Sequence, residues 1–98
     1  MIECELKIEN RLGLHARPAS LFVRTTNRFK SKIRVIKDNM EVDGKSIMGL
    51  LMLAAPMGTV LKVIADGEDE ANLVETLRNL FASKFGENHE GPEAKANP

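Results

Sequence analysis

Residues 10–20 carry the side chains best suited to chemistry, with His15 at their centre. Pro18 is tolerated in the first turn of a helix, so His15 is predicted to lie at a helix N-terminus. That end presents free backbone N–H groups and a partial positive charge, which together favour an anion. A phosphoryl group on the imidazole would meet the N–H groups of Ala16 and Arg17 and the Arg17 guanidinium. The spacing therefore indicates phosphate chemistry, although a histidine that merely ends a helix fits it as well.

Ser46 is the second candidate position, because it directly precedes an apolar run. Serine is a favoured N-cap, so we expect Ser46 to begin a short helix. Ile47, Met48 and Leu51 are more apolar residues than the buried side of one short helix needs. Their surplus predicts a small exposed apolar patch beside His15. A purely buried role for Met48 and Leu51 stays open.

The charges of the chain are balanced in number but sorted along the sequence. Fourteen basic residues match fourteen acidic ones, yet residues 10–37 contain eight basic residues and no acidic one. Arg24 and Arg28 share the exposed side of the predicted helix, and Ser20 lies one turn after Arg17. With the apolar patch, this side suits an acidic, partly apolar partner that binds weakly and fast.

Composition argues against several classes of protein. The 98 residues suffice for one domain, and the absence of Trp and Tyr disfavours a protein that stacks nucleic-acid bases. Two histidines and the single Cys4 make a poor metal set, so we expect no metal and no disulfide. The apolar runs are too short for a membrane span, and acids stand where a signal peptide has bases. We expect a cytoplasmic protein without membrane insertion.

Hydrophobic periodicity predicts the element order β-α-β-β-α-β-α. The strands alternate in polarity, which indicates one buried sheet face and one solvated face. The expected fold is α+β, a two-layer open-faced sandwich in which three helices cover one face of a four-stranded antiparallel sheet. Residues 1–86 form the predicted domain, with Gly86 ending the last helix. Residues 87–98 are polar and unpatterned, and we expect a disordered tail there.

Two blocks of this sequence resemble motifs of a known family. One resembles the active-site motif of the histidine-containing phosphocarrier (HPr) family of the bacterial phosphoenolpyruvate-dependent sugar phosphotransferase system, namely Gly13-Leu14-His15-Ala16-Arg17-Pro18-Ala19. The other resembles the regulatory serine region of that family, namely Lys45-Ser46-Ile47-Met48-Gly49-Leu50. The resemblance runs from residue 2 to about residue 86, and the predicted element order agrees with the family fold.

The resemblance implies specific roles and partners. His15 would take phosphate on its δ nitrogen from phosphorylated enzyme I and pass it to IIA components, and Arg17 would help to hold it. Ser46 would be the target of the regulatory HPr kinase/phosphorylase, which serves carbon control through a regulator. No cofactor is implied, because the phosphate is carried covalently while phosphoenolpyruvate and magnesium act at enzyme I. A monomer is expected.

Several alternatives stay open at this level. Residues 50–53 and 80–86 resemble the nitrogen-regulatory branch of the family (NPr), whereas the context of Ser46 resembles the sugar branch. A Ser–His enzyme is disfavoured because no pattern supplies a positioned acid for His15. A small nucleic-acid-binding domain could use the basic run, but it would lack stacking rings and a glycine clamp, so no direct nucleic-acid contact is expected.

Overall fold

A computed structural model describes residues 1–87 of the chain. The elements in chain order are β1 (Ile2–Lys7), α1 (Ala16–Thr26), β2 (Lys32–Lys37), β3 (Met40–Asp43), α2 (Ile47–Met52), β4 (Val60–Asp66), α3 (Glu70–Ala82) and a C-terminal 3-10 turn (Lys84–Gly86). The predicted element order is therefore confirmed, as is the α+β class.

One antiparallel sheet holds the four strands in the order β1-β4-β2-β3. Because side chains alternate along a strand, one face collects the apolar residues that the helices cover. Those residues are buried, among them Leu6, Ile33, Val35, Leu61 and Val63. The opposite face carries charges, and Lys62 of β4 lies opposite Glu5 and forms an ion pair with Glu3 at 2.7 Å. The predicted open-faced arrangement is confirmed.

The helices α1 and α3 pack side by side over the covered face of the sheet. The ring of Phe22 in α1 meets that of Phe81 in α3 edge-on, with centroids 6.0 Å apart. Phe29 and Leu80 are half-buried and pack against the edge of this core. The prediction that Gly86 ends the last helix is wrong, because α3 already ends at Ala82.

The loop between β1 and α1 is fixed against the segment that follows α2. Gly13 has φ +73°, and a Cβ there would lie 2.5 Å from the carbonyl oxygen of Ala55, so only glycine fits. The neighbouring backbone N–H of Leu14 donates to the same Ala55 oxygen at 2.9 Å. This close approach places His15, the next residue, beside the end of α2.

Within residues 1–87, no helix is long and apolar enough to cross a membrane. The tail expected to be disordered begins at residue 87, and its residues 88–98 lie outside the described part of the chain. Glu87 itself is described and has a defined place beside His15.

Candidate functional site

His15 lies at the N-cap of α1, as the position of Pro18 predicts. Its backbone is extended, with φ −87° and ψ −168°, and its carbonyl oxygen accepts the Ala19 N–H at 2.9 Å, which begins the helix. The imidazole makes no capping bond within the described residues, and the side chain is 36% exposed. Helix geometry leaves the N–H groups of Ala16 and Arg17 without intrahelical acceptors. The first turn of α1 contains no acidic side chain of its own.

Glu87 places a carboxylate directly against this imidazole. Its Oε2 and Oε1 atoms lie 3.1 and 3.3 Å from Nε2 of His15. It also accepts hydrogen bonds from Nδ2 of Asn10 at 3.1 Å and from Nη1 of Arg17 at 3.0 Å. No sequence pattern supplies this acid, since it comes from a residue that sequence periodicity assigned to the tail.

The surroundings of Glu87 keep it charged. Burial opposes the charge and raises the pKa of Glu87, but hydrogen bonds from His15 and Asn10, with a further one from Arg17, lower that pKa overall. The carboxyl group is consequently an anion at neutral pH. Its side chain is only 18% exposed, so it is also confined in position.

Arg17 reaches the same cluster from the exposed side of α1. Its Nη1 atom lies 3.0 Å from both the Phe85 carbonyl oxygen and Oε2 of Glu87. The structure thus brings the two residues of the predicted phosphate site, His15 and Arg17, onto one carboxylate. The role of Arg17 in holding phosphate stays a prediction.

The C-terminal turn brings Glu87 back to the start of α1. Lys84, Phe85 and Gly86 all have positive φ angles, of 58°, 56° and 77°, so the backbone leaves the helical path abruptly. Phe85 is buried, and its ring centroid lies 4.7 Å from that of Phe81. Burial of that ring offsets the strain of a left-handed bulky residue. Phe85, an aromatic residue four positions after Phe81, was the one sequence signal that could have indicated that the chain turns back toward α1 here.

An apolar surface borders His15, formed by Leu12, Ile47, Met48 and Leu51. Ile47 is 40% and Met48 69% exposed, which agrees with the predicted surplus of apolar residues on α2. Leu51 is half-buried and packs against the core, but it also lines, with Leu12 and His15, an open depression of about 360 Å³. Leu12 is 73% exposed and was not foreseen as part of this surface.

Basic residues extend the site along α1. Arg24 is exposed, and its spacing of seven residues puts it on the same side of the helix as Arg17. Arg28, expected on that side of the helix, lies two residues beyond the end of α1, where it is exposed and lines an open depression with Arg24. Ser20 is half-buried and lies close to that side. The expected basic flank of the apolar surface stays a prediction.

Ser46 caps α2, as predicted. Its Oγ atom accepts the backbone N–H of Gly49 at 3.0 Å, and the residue is half-buried. The hydroxyl group therefore has a structural role irrespective of any regulation. It directly precedes Ile47 and Met48, so a charge added there would stand beside the apolar surface.

Other chemistry-bearing side chains give no second centre. Among residues 1–87, no three His, Cys, Asp or Glu side chains are grouped so that they could hold a metal ion. Cys4 is half-buried against the core, and burial raises the pKa of its thiol. The Cys4 thiol is consequently neutral at pH 7 and a poor nucleophile.

Comparisons with known proteins agree with the fold and the motifs. The family model "PTS HPr component phosphorylation site" matches residues 2–83. The phosphocarrier protein HPr of Neisseria meningitidis serogroup A is 47% identical over 87 residues, which are 89% of this chain and 98% of that protein. The crystal structure of HPr-C-His from Thermoanaerobacter tengcongensis has a TM-score of 0.87 at 48% identity, covering 91% of this chain and all of its own.

A regulatory relative is also similar. The crystal structure of Crh, described as a catabolite repression protein of Bacillus subtilis and solved as a swapped dimer, has a TM-score of 0.65 at 41% identity, covering 93% of this chain and 100% of its own. The matched residues 2–83 include both motifs and all of α1 and α2. The chain therefore belongs to the HPr family of phosphotransferase-system phosphocarriers, and it carries a phosphoryl group rather than acting as an enzyme.

Proposed function

We propose that His15 takes a phosphoryl group from phosphorylated enzyme I and passes it to IIA components of the phosphoenolpyruvate-dependent sugar phosphotransferase system. The observation that carries the proposal is the position of His15 at the N-cap of an eleven-residue helix. Its imidazole is partly exposed and, within the described residues, forms no hydrogen bond to the backbone of that helix end. The only other histidine of the chain is His89. A phosphoryl group at His15 would meet the free N–H groups of Ala16 and Arg17.

Phosphoryl transfer requires only the His15 imidazole as nucleophile and the backbone N–H groups that stabilise the phosphoryl anion. The lone pair of Nδ1 attacks the phosphorus, and the bond from phosphorus to the donor breaks with its electron pair leaving on the donor. Each helix-end interaction stabilises the anion by roughly 0.3–1 kcal/mol, or up to about 2 kcal/mol when partly buried. That is enough to hold a phosphohistidine and weak enough to release it. We propose no cofactor, with phosphoenolpyruvate and magnesium acting at enzyme I.

Both partners would use the apolar surface with its basic flank. Ile47, Met48 and Leu51 offer the apolar contact, while Arg24 and, more peripherally, Ser20 extend it along α1. Because one surface must serve donor and acceptor in turn, both complexes should be small, rapidly formed and rapidly dissolved. Complementary partners would present an acidic rim around an apolar centre.

We further propose a cytoplasmic monomer. Every contact described at the site, from Asn10 to Glu87, lies within one chain, so these contacts need no second copy. Sedimentation equilibrium at micromolar concentration tests this. The monomer predicts the 10.9 kDa mass of one chain, whereas a dimer such as that of Crh predicts twice that mass.

Regulation through Ser46 is the next element of the proposal. The HPr kinase/phosphorylase would phosphorylate its half-buried hydroxyl group, and a carbon-control regulator would read the product. The N-cap position can accommodate an anion without refolding α2. The effect would instead arise from repulsion and desolvation at Ile47 and Met48, which follow directly in the chain.

The nitrogen-regulatory branch of the family is the second candidate. It is favoured by the resemblance of residues 50–53 and 80–86 to that branch. The identity of the acceptor distinguishes the two. Faster transfer to a sugar-specific IIA component supports the sugar branch. Faster transfer to a nitrogen-branch IIA component supports the nitrogen-regulatory branch instead.

The proposed relay is tested with the full chain, enzyme I, phosphoenolpyruvate and magnesium. We expect one acid-labile, base-stable phosphate per chain, which is lost again when a IIA component is added. His15→Ala should accept none, while the matched control His89→Ala should accept the wild-type amount. Equal labelling of His15→Ala and wild type would overturn the proposal.

A further inference from the structure

We propose that Glu87 is a positioning residue that holds the proton of the His15 imidazole on Nε2 and so leaves Nδ1 with a free lone pair for the incoming phosphoryl group. This inference rests on the proposed role of His15 and deepens it. It assigns a task to a residue that lies 72 positions away in the chain and outside both motifs.

The first step of the argument is the direction of the hydrogen bond. Both carboxylate oxygens of Glu87 lie within 3.3 Å of Nε2, and an ionised carboxylate can only accept. Nε2 must therefore be the donor and carry the proton. In a neutral imidazole the other nitrogen, Nδ1, then holds the lone pair that a phosphoryl transfer needs.

The second step is that the carboxylate is itself held in place. Nδ2 of Asn10 donates both to Oε1 of Glu87 at 3.1 Å and to the Gly13 carbonyl oxygen at 2.8 Å. Asn10 is fully buried, and its Oδ1 atom has no hydrogen-bond partner within the described residues. A buried acceptor left without a partner is unfavourable, so the amide is oriented for Glu87 and Gly13 at the expense of its own oxygen.

The third step is the anchor that delivers Glu87. Phe85 is buried two residues earlier, and its carbonyl oxygen accepts a hydrogen bond from Nη1 of Arg17. Positive φ angles at Phe85 and Gly86 turn the chain back toward α1. The carboxylate is thus fixed by packing behind it and by three donors in front of it, as a positioning residue must be.

The proton balance of the transfer follows from this arrangement. Before transfer, Nε2 carries the proton and Nδ1 the lone pair. The new nitrogen–phosphorus bond forms at Nδ1 while the bond to the donor breaks, and the Nε2 proton stays where it is. No proton has to leave or reach His15 when it gains the phosphoryl group or when it passes the group on. Because Glu87 holds this tautomer, neither transfer has to wait for a tautomer change.

The test combines a tautomer measurement with kinetics on the full chain. In long-range ¹H–¹⁵N spectra of histidine-labelled protein, recorded at a pH high enough that the imidazole is neutral, wild type should show a protonated Nε2 and a bare Nδ1. Glu87→Ala should shift His15 toward the tautomer mixture of a solvent-exposed histidine. Its maximum rate of phosphorylation by enzyme I should fall about tenfold, the loss expected for one charge-assisted hydrogen bond. The KM for enzyme I should change less than about twofold, because docking is untouched.

Two further variants separate positioning from charge. Glu87→Gln should recover most of the rate and of the wild-type tautomer, since its amide oxygen still accepts from Nε2–H. Glu75→Ala removes an equal charge from the exposed side of α3 and should behave as wild type. A Glu87→Ala variant that keeps both the tautomer and the rate overturns the inference. The proposed function has a separate test: if it is wrong, the His15→Ala variant still accepts phosphate, whatever the Glu87 variants do.

Discussion

Arg17 donates from one nitrogen, Nη1, to both the Phe85 carbonyl oxygen and the Glu87 carboxylate, at 3.0 Å each. These acceptors lie 68 and 70 residues further along the chain, so the guanidinium ties the first turn of α1 to the C-terminal turn. A flexible exposed side chain is thereby ordered beside His15. The arrangement predicts that Arg17 contributes to the site more than to the fold.

The first prediction concerns Arg17→Ala. It should slow phosphoryl transfer to and from the protein by roughly tenfold to a hundredfold, the range for hydrogen bonds to a charged group. The urea midpoint should change little, since the side chain is 56% exposed. Arg34→Ala, which removes an equal charge from the exposed face of the sheet, is the control and should transfer at the wild-type rate. Unchanged transfer in Arg17→Ala would remove this residue from the site.

Ser46 offers a prediction that separates its cap from its proposed regulation. Ser46→Ala should lower the free energy of unfolding by about 1 kcal/mol, because the Gly49 N–H loses its acceptor. Ser46→Asp keeps an N-cap acceptor and should stay within about 0.5 kcal/mol of wild type. The added charge should nevertheless raise the KM for enzyme I. Urea unfolding and transfer kinetics measure the two effects, and an Asp variant as unstable as the Ala variant contradicts the described cap.

Ala54 is strained in a way that a smaller residue would relieve. It follows α2 with φ +49°, a left-handed conformation that glycine adopts readily at this position. Ala54→Gly should raise the free energy of unfolding by about 0.5–1 kcal/mol after the larger entropy of the unfolded chain is allowed for. Ala55→Gly, at a buried neighbour with a negative φ, should lower it. A destabilised Ala54→Gly variant would show that the left-handed conformation is wrong.

Asp69 predicts how stability changes in acid. It accepts hydrogen bonds from the Ser31 hydroxyl group and from the backbone N–H groups of Lys30 and Ser31, which lower the pKa of Asp69 below its usual 3.8. A lowered folded-state pKa adds stability that is fully present above pH 3.8 and is lost as the pH falls through the folded value.

Urea midpoints measured from neutral pH downward test this. The acid-induced loss should be shallower in Asp69→Asn than in wild type, and Asp38→Asn, an exposed turn residue, should follow wild type. Parallel curves for Asp69→Asn and wild type would show that these hydrogen bonds do not act as described.

Local patterns in the sequence predict most of the fold and, at the site, His15 and Arg17 but not Asn10 and Glu87. Period-two alternation marks the strands, and Pro18 and Ser46 mark two helix starts because capping chemistry is local. Glu87 could not be found in this way, since its partners come from residues 10–17. The apolar spacing of Leu77, Phe81 and Phe85 continues the helical period, yet the backbone leaves the helix after Ala82. Burial of Phe85 decides that path, and burial is a tertiary property.

The central claim is that His15 carries the phosphoryl group on Nδ1. It is tested most directly by ³¹P–¹⁵N correlation on the histidine-labelled protein after phosphorylation by enzyme I and phosphoenolpyruvate. The account predicts a single phosphorus coupled to Nδ1 of His15, with Nε2 still protonated. A phosphorus coupled to Nε2, or located on His89 or on any other residue, would contradict it.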